Sequence, residues 1–409
     1  MKLKLPAVLL VACALATAAA AQDADPLLLA EILRIRAIDN HSHGMPASPP
    51  GELPKDPLGS APFMYPVRLR VDNPEYPRAW EALWGAVRGD TAFRARHALE
   101  TKWRIRREKG DAYPAWVLDQ AGIDAVLVNN DRLGRGQTPP RFRWVPTADS
   151  LVFPREDKQE TPPDLPQYLS RVVTPAIESW KSSGALALKF TLAYRRPLDF
   201  AAVPQEEAAR VYALGGRTTP AEAKALQDHL FRFICAEAGR VGLVVHVHVG
   251  IGANPYFDLR GSEPTLLEAT LNDAALRQTR FVLVHGGWPF ERETGAMLVK
   301  PNTYADFSAQ PFLRSNRALA ATLREWLEFF PDKVLFGTDA YTEDPAGTSA
   351  PLSGWEEKTW LNARRSREAL AIALTGMMRD RQVTRAQAVD LARLVLRGNA
   401  ERLYGLGPP

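Results

Sequence analysis

The stretch that decides the fold is Val244-Val245-His246-Val247-His248-Val249-Gly250. Its β-branched residues are typical of a buried strand in a parallel sheet. Side chains alternate across a strand, so both histidines share one face, and the valines between them pack on surrounding helices. His248 lies nearer the strand end and Gly250 follows it. We therefore expect His248 to be a metal ligand and His246 to lie one layer deeper, in a hydrogen-bonded or core role.

Similar short apolar runs recur along the chain and alternate with helical stretches that mix apolar and charged residues. This alternation predicts parallel strands joined by crossover helices, an α/β fold. Eight such units close a (β/α)₈ TIM-like barrel. The predicted strands are 35–40, 124–129, 142–147, 185–190, 243–249, 281–285, 303–307 and 333–337.

Residues 44–119, between the first two predicted strands, are too many for a simple connection. The segment begins rich in proline and then becomes helical, with tryptophans at 80, 84, 103 and 116. We expect a helical insertion that forms a lid over the barrel mouth. A peripheral packing domain is the equally weighted alternative.

The first 21 residues differ in composition from the rest. Lys2 and Lys4 precede an apolar run, and Ala19-Ala20-Ala21 resembles a small-residue cleavage site, which together are typical of a secretory signal peptide. The apolar run is too short to span a membrane well. We expect residues 1–21 to be removed and residues 22–409 to form an exported, periplasmic barrel with no integral membrane segment. A lipoprotein signal ending at Cys13 is the alternative.

The composition excludes several classes of protein. Of 409 residues, 46% are hydrophobic and 24% charged, which is typical of a soluble globular chain. Basic and acidic residues number 51 and 47 and are interspersed, so we expect no nucleic-acid partner. Cys235 would be the only cysteine after cleavage, so no intramolecular disulfide is expected. The composition is compatible with a homo-oligomer.

Besides His248 of the fifth strand, polar residues stand at the ends of three further predicted strands. His41 and His43 follow the first strand, where alternation turns both the same way. His285 ends the sixth strand, whose predicted inward face is Phe281, Leu283 and His285. Asp339 follows the eighth, an expensive place for a carboxylate without a partner. Because catalytic groups of such barrels sit at the carboxyl ends of the strands, a shared metal site is expected.

Lys189 is predicted to face inward at the end of the fourth strand. Three outcomes are open. The amine can become carbamylated and bridge two metals, remain an ammonium that holds an anionic substrate, or extend to solvent. Tyr194 and Arg195 lie just beyond this strand, where they can bind a substrate carboxylate, although a structural ion pair is an equal alternative for Arg195.

Taken in order, these motifs resemble the metal-site signature of the amidohydrolase superfamily, and most closely its amidohydrolase-related group of hydrolases and decarboxylases. The resemblance spans 35–406, with 44–119 as its least familiar part. Lys189 with Ala193-Tyr194-Arg195 also resembles domains that some plant and fungal proteins fuse to glutamine synthetase. The motifs that carry the resemblance are His41-Ser42-His43, His248-Val249-Gly250, His285-Gly286-Gly287, Gly337-Thr338-Asp339 and Gly398-Asn399-Ala400-Glu401-Arg402.

The resemblance implies a barrel that binds a divalent metal, most often zinc. His41, His43 and His248 then match metal ligands, and Asp339 a ligand that also accepts a proton. His285 matches a histidine that binds a second metal or orients water. One metal is implied, or two if Lys189 is carbamylated.

The expected activity is therefore metal-dependent hydrolysis of an amide, lactone or ester bond in a small, anionic substrate. Two alternatives remain open. One is a metal-dependent decarboxylase of the same fold, against which Lys189 argues mildly. The other is an exported binding protein that keeps the barrel without turnover.

Overall fold

The computed structural model describes residues 24–44, 67–69, 73–154, 161–253, 256–341 and 354–407. The expected signal peptide, 1–21, lies outside them. All strand pairings are parallel. The strands are β1 Ala37–Ser42, β2 Ile123–Asn129, β3 Phe142–Val145, β4 Ala187–Phe190, β5 Val244–His248, β6 Phe281–Val284, β7 Thr303–Asp306 and β8 Val334–Leu335.

Helices follow the strands as the alternation predicts, except that residues 130–141, between β2 and β3, contain no helix. A long closing helix, Trp355–Arg379, follows the eighth strand. Two π-helical turns, Leu169–Val173 and Leu394–Gly398, continue the helices Leu165–Tyr168 and Arg385–Arg393. The α-helices are α1 Pro26–Arg34, α2 Glu75–Trp84, α3 Thr91–Lys109, α4 Tyr113–Gln120, α5 Asp149–Val152, α6 Leu165–Tyr168, α7 Thr174–Ser182, α8 Gln205–Leu214, α9 Pro220–Val241, α10 Glu268–Leu271, α11 Glu291–Met297, α12 Gln310–Leu313, α13 Asn316–Phe329, α14 Trp355–Arg379, α15 Arg385–Arg393 and α16 Asn399–Tyr404.

The strands form two sheets, β1-β2-β3 and β4 to β8 in sequence order. Backbone hydrogen bonds join the sheets at both seams. At one seam, Lys189 N donates to Pro146 O at 2.8 Å. At the other, Asn40 N donates to Phe336 O and Asp339 N to His41 O, both at 2.8 Å. The strand order and these bonds confirm the predicted TIM-like barrel. The continuation of β8 closes the ring, although β8 itself is shorter than the predicted 333–337.

The interior of the barrel is a separate apolar cluster at its amino-terminal end. Its strand residues are Ile38, Leu127, Val145, Ala187, Val244, Val282, Val284 and Leu335. Helix α16 adds Ala400, Leu403 and Tyr404 to this cluster, so the last described helix forms the floor of the barrel. The larger apolar cluster lies outside, between the sheet and the helices.

The prediction that Phe281, Leu283 and His285 form the inward face of the sixth strand is wrong. Val282 and Val284 belong to the interior cluster, whereas Phe281 and Leu283 pack in the outer cluster. Alternation would then turn His285 outward. Its left-handed backbone, with φ of 73°, breaks the alternation and lets the side chain meet the histidines inside.

The described part of the insertion, 67–69 and 73–119, is largely helical, as predicted. Lys102 of α3 lies between two carboxylates of α14, with Nζ 3.0 Å from Glu356 and 2.9 Å from Glu357. Trp84 of α2 donates from Nε1 to Glu357 at 3.0 Å. All four side chains are buried. The described part of the insertion is thus fastened to the helix that follows β8, while the lid role remains a prediction.

Two further features concern the chain as a whole. No helix among the described residues is long and apolar enough to cross a membrane. Cys235 is a buried free thiol.

Candidate metal centre

His41 reaches the site through an irregularity in β1, and His43 lies just beyond the end of that strand. From Asp39 to Ser42 the chain advances three residues, while its partner advances only from Val126 to Val128. This extra residue is a β-bulge, which changes the direction in which a side chain points. Asn40 hydrogen-bonds inside the barrel, and the bulge allows the adjacent His41 to enter the site as well.

Three side chains converge at the carboxyl ends of β1 and β8. Nε2 of His41 lies 3.2 Å and Nε2 of His43 lies 3.3 Å from Oδ1 of Asp339. Their ligand atoms all lie within 4.8 Å of one another, which makes them a group able to hold a metal ion. The predicted convergence of the first and eighth strands is therefore present.

The other two predicted histidines line the same space. The His285 ring centroid is 5.1 Å from that of His41 and 4.6 Å from that of His248. Nδ1 of His285 lies 3.8 Å from Oδ2 of Asp339. His248 stands outside the group of three, although its buried ring adjoins them. Its predicted role as a ligand remains a prediction.

Several of these polar atoms are buried without a hydrogen bond. Among the described residues, Nε2 of His41, Nε2 of His248 and Oδ1 of Asp339 have no hydrogen-bond partner. Buried polar atoms in native proteins are nearly always paired. Imidazole nitrogens and a carboxylate oxygen are also the ligands that zinc prefers. The donor set therefore fits a divalent metal.

The titration behaviour of the site suits metal binding. Burial, and then the charge of Lys189, lower the pKa of His41 to about 3, so its imidazole is neutral and able to bind a metal. Burial alone would raise the pKa of Asp339. The neighbouring His285 and contacts with His41 and His43 outweigh burial and hold that pKa well below its usual range.

Lys189 is buried in the same space, with 1% of its surface exposed. It therefore does not extend to solvent. Burial lowers the pKa of its amine to about 8, against the opposing attraction of Asp306, Asp339 and Asp149. Nζ has no hydrogen-bond partner among the described residues. An amine of lowered pKa is more readily deprotonated, as carbamylation requires, but both predicted roles remain open.

A layer of polar residues that sequence reasoning missed supports the histidines. Asp39 accepts hydrogen bonds from Thr338 N at 2.9 Å and Thr338 Oγ1 at 2.5 Å. Asp306 accepts from Asn40 Nδ2 at 2.7 Å and from His285 N at 2.9 Å. The signal was available in part, because Asp39 and Asp306 are carboxylates within apolar strands, as costly there as Asp339.

His246 lies deeper than His248, and its Nε2 is 2.7 Å from the Tyr404 hydroxyl. It belongs to the hydrogen-bonded floor and not to the group of three.

The two predicted substrate-binding residues lie in different surroundings. The Tyr194 ring centroid is 4.8 Å from that of His248 and 5.1 Å from that of Phe257, which gives the site an aromatic wall. Tyr194 Oη also accepts from Ala253 N at 3.2 Å. The guanidinium of Arg195 lies 3.5 Å from the centroid of the Phe153 ring. Arg195 thus has a stacking partner outside the metal centre.

Comparison with known proteins gives the same picture. A family model described as Amidohydrolase matches residues 189–406, more than half of the chain. The protein fluG of Emericella nidulans is 28% identical over 255 residues, which is 58% of this chain and 27% of the fungal protein. The match therefore concerns only about a quarter of that relative.

Solved structures share the fold. A protein from Lactobacillus casei ATCC 334, described provisionally as a metal-dependent hydrolase, superposes with a TM-score of 0.63 at 16% identity, covering 94% of this chain and 98% of its own. Uronate isomerase from Thermotoga maritima superposes with a TM-score of 0.57 at 13% identity, covering 82% of this chain and 79% of its own. Glucuronate isomerase from Caulobacter crescentus superposes with a TM-score of 0.52 at 14% identity, covering 93% of this chain and 94% of its own. At such identities the likeness is one of fold.

Proposed function

Because the chain belongs to the amidohydrolase family, we propose that it is a metal-dependent hydrolase that cleaves an amide, lactone or ester bond in a small, anionic substrate. The observation that carries the proposal is the convergence of His41, His43 and Asp339, in which Nε2 of His41 and Oδ1 of Asp339 are buried without a hydrogen bond among the described residues. We propose zinc as the metal. We also propose that the protein acts outside the cytoplasm, as its first 21 residues suggest.

His41 and His43 would hold the cation together with Asp339. His248, whose ring centroid is 4.6 Å from that of His285, is proposed as a further ligand. A bound divalent cation lowers the pKa of the water it binds to about 7 and polarises a carbonyl oxygen. Asp339 is the carboxylate that lies beside His41 and His43. It would therefore take a proton from the attacking water and pass it to the leaving group. Lys189 would contribute positive charge toward an anionic substrate, unless carbamylated as a bridge between two metals.

The first test is metal binding by the purified chain. We expect zinc to remain bound after dialysis and to be lost from His41→Ala and His43→Ala. The matched control is His97→Ala, a histidine of the insertion outside the metal-binding group. Failure of the wild-type chain to bind any divalent metal would contradict the proposal and favour a barrel without turnover.

The second test separates the reactions open to this fold. Lactones, esters and amides bearing a carboxylate would be screened in water enriched in ¹⁸O. Hydrolysis places one ¹⁸O atom in the product acid. Product without the label, from a uronate substrate, would support isomerisation. Release of carbon dioxide from an aromatic or unsaturated acid would support decarboxylation.

A further inference from the structure

A continuous chain of buried hydrogen bonds runs from the floor of the barrel to His285. The Tyr404 hydroxyl donates to Oδ1 of Asn40, and Nδ2 of Asn40 donates to Oδ2 of Asp306 at 2.7 Å. On the other side of Asp306, Oδ1 lies 2.5 Å from the Ser308 hydroxyl. The same hydroxyl oxygen lies 2.9 Å from Nδ1 of His285. All five residues are buried.

The direction of the bonds around Asp306 is set by its neighbours. Two backbone N–H groups, of His285 and Ser308, each donate to Oδ1 at 2.9 Å, and the amide of Asn40 donates to Oδ2. Each of these donors requires an acceptor, so Asp306 accepts on both oxygens. The short contact with Ser308 is then a bond in which the hydroxyl donates to the carboxylate.

A hydroxyl carries one proton and can donate only once. Since the Ser308 proton points to Asp306, the Ser308 oxygen must accept from His285. We propose that Ser308 and Asp306 are positioning residues that hold His285 with its proton on Nδ1 and an unprotonated nitrogen at Nε2.

This inference rests on the proposed function and narrows the part that His285 plays in it. A ring with a free lone pair at Nε2 can bind a metal or accept a proton from water. It cannot donate from Nε2 to a developing oxyanion. His285 is therefore an acceptor in the reaction. An outer partner of this kind is the usual means by which a protein fixes the tautomer of a metal-binding histidine.

The same logic gives the opposite result for His246. The Tyr404 hydroxyl already donates its single proton to Asn40. The Tyr404 oxygen must therefore accept a hydrogen bond from Nε2 of His246, 2.7 Å away. His246 is therefore protonated at Nε2. Two buried histidines of one barrel are expected to be opposite tautomers, which provides an internal reference.

The test is nuclear magnetic resonance of the metal-free full chain with ¹⁵N-labelled imidazoles. Protonated and unprotonated ring nitrogens have well-separated shifts, and their couplings to the ring protons distinguish Nδ1 from Nε2. Signals are assigned by their loss in His285→Gln and His246→Gln. We expect His285 to be protonated at Nδ1 and His246 at Nε2. A wild-type His285 protonated mainly at Nε2 would overturn the proposal, whatever the variants do.

The variants test the cause. In Ser308→Ala the fraction of His285 protonated at Nε2 should rise several-fold, while Ser308→Thr, which keeps the hydroxyl, should retain the wild-type tautomer. The matched control is Ser366→Ala, a buried serine of α14 whose hydroxyl has no hydrogen-bond partner among the described residues. An unchanged tautomer in folded Ser308→Ala would remove Ser308 from this role.

The outcome is independent of the metal. If the chain binds no metal but His285 is protonated at Nδ1, the proposed function fails and the positioning role survives. If the chain binds metal but His285 is protonated at Nε2, the positioning role fails and the proposed function survives. Where His285 is itself a metal ligand, Ser308→Ala should also weaken zinc binding by about 10- to 100-fold, measured by competition with a chelator.

Discussion

Gly250 packs directly against the backbone of Gly287. A Cβ atom on Gly250 would lie 2.4 Å from the carbonyl carbon of Gly287 and 2.6 Å from the carbonyl oxygen of Trp288. Gly250 also has a left-handed φ of 78°. The loop that follows His248, the last residue of β5, and the loop after β6, which carries His285, are thereby held together without a side chain between them.

We predict that Gly250→Ala destabilises the protein and displaces His248. The left-handed backbone costs an alanine about 1–2 kcal/mol, and the clash adds about 1–3 kcal/mol. The control is Gly184→Ala, at φ of 87° with no atom within 4 Å of its Cβ. Gly184→Ala should therefore lose stability only through its left-handed backbone, without a clash. Urea unfolding and zinc affinity give the comparison, and equal losses in both variants would contradict the contact argument.

Asp339→Asn tests the proposed proton acceptor. The amide keeps one oxygen as a ligand but cannot take a proton, so we expect at least about a 10²-fold loss of turnover with partial retention of metal. Metal content and rate should be measured on the same sample. Asp111→Asn, at an exposed carboxylate in the insertion, is the control. Full turnover with metal retained would exclude Asp339 from the mechanism.

Lys102 should be required for stability. Lys102→Met leaves the buried carboxylates of Glu356 and Glu357 without their cation, and breaking such a buried pair costs about 3–5 kcal/mol. The control is Arg104→Met, whose partner Glu108 is 57% exposed, as expected for a pair worth less than about 1 kcal/mol. Thermal unfolding measures both. Equal melting temperatures for the two variants would show that the insertion is not fastened in this way.

Glu75 should contribute stability that depends on pH. Burial alone would raise its pKa, but Arg68 and Arg365 outweigh burial and lower it to about 2 from 4.5. A lowered pKa stabilises the folded state above pH 4.5, and this contribution disappears as the pH falls toward 2.

Glu75→Gln should therefore cost about 1–3 kcal/mol at pH 7 and roughly half of that or less near pH 3. The free energy of unfolding of both proteins at the two pH values gives the comparison. Glu108→Gln, at an exposed carboxylate, is expected to show little difference at either pH. A penalty for Glu75→Gln that is independent of pH would rule out the ionic explanation.

The sequence was sufficient for the barrel and for the residues that meet at its mouth. The predicted strands are short, mainly apolar runs, and His41, His43, His285 and Asp339 all stand at or just beyond the ends of such runs, where parallel strands place polar groups. These inferences need only local composition and the period of a strand. They did not require knowledge of which strands are neighbours.

The direction of individual side chains could not be predicted in the same way. Strict alternation assigned His285 to the face of Phe281 and Leu283, whereas a left-handed residue returns it to the interior. The bulge that brings His41 into the site depends on the register between β1 and β2. The partnership of Ser308 with His285 joins residues 23 positions apart. Such features depend on contacts between strands that no single segment encodes.

The floor formed by α16 has a consequence for how the centre is completed. Tyr404 reaches Asn40 from a point 364 residues further along the chain, and the backbone after β8 supplies the partners of β1. Asn40, the neighbour of His41 in the chain, therefore gains one of its hydrogen-bond partners only when α16 is in place. Truncations or fusions that disturb α16 should accordingly affect chemistry at the far end of the barrel.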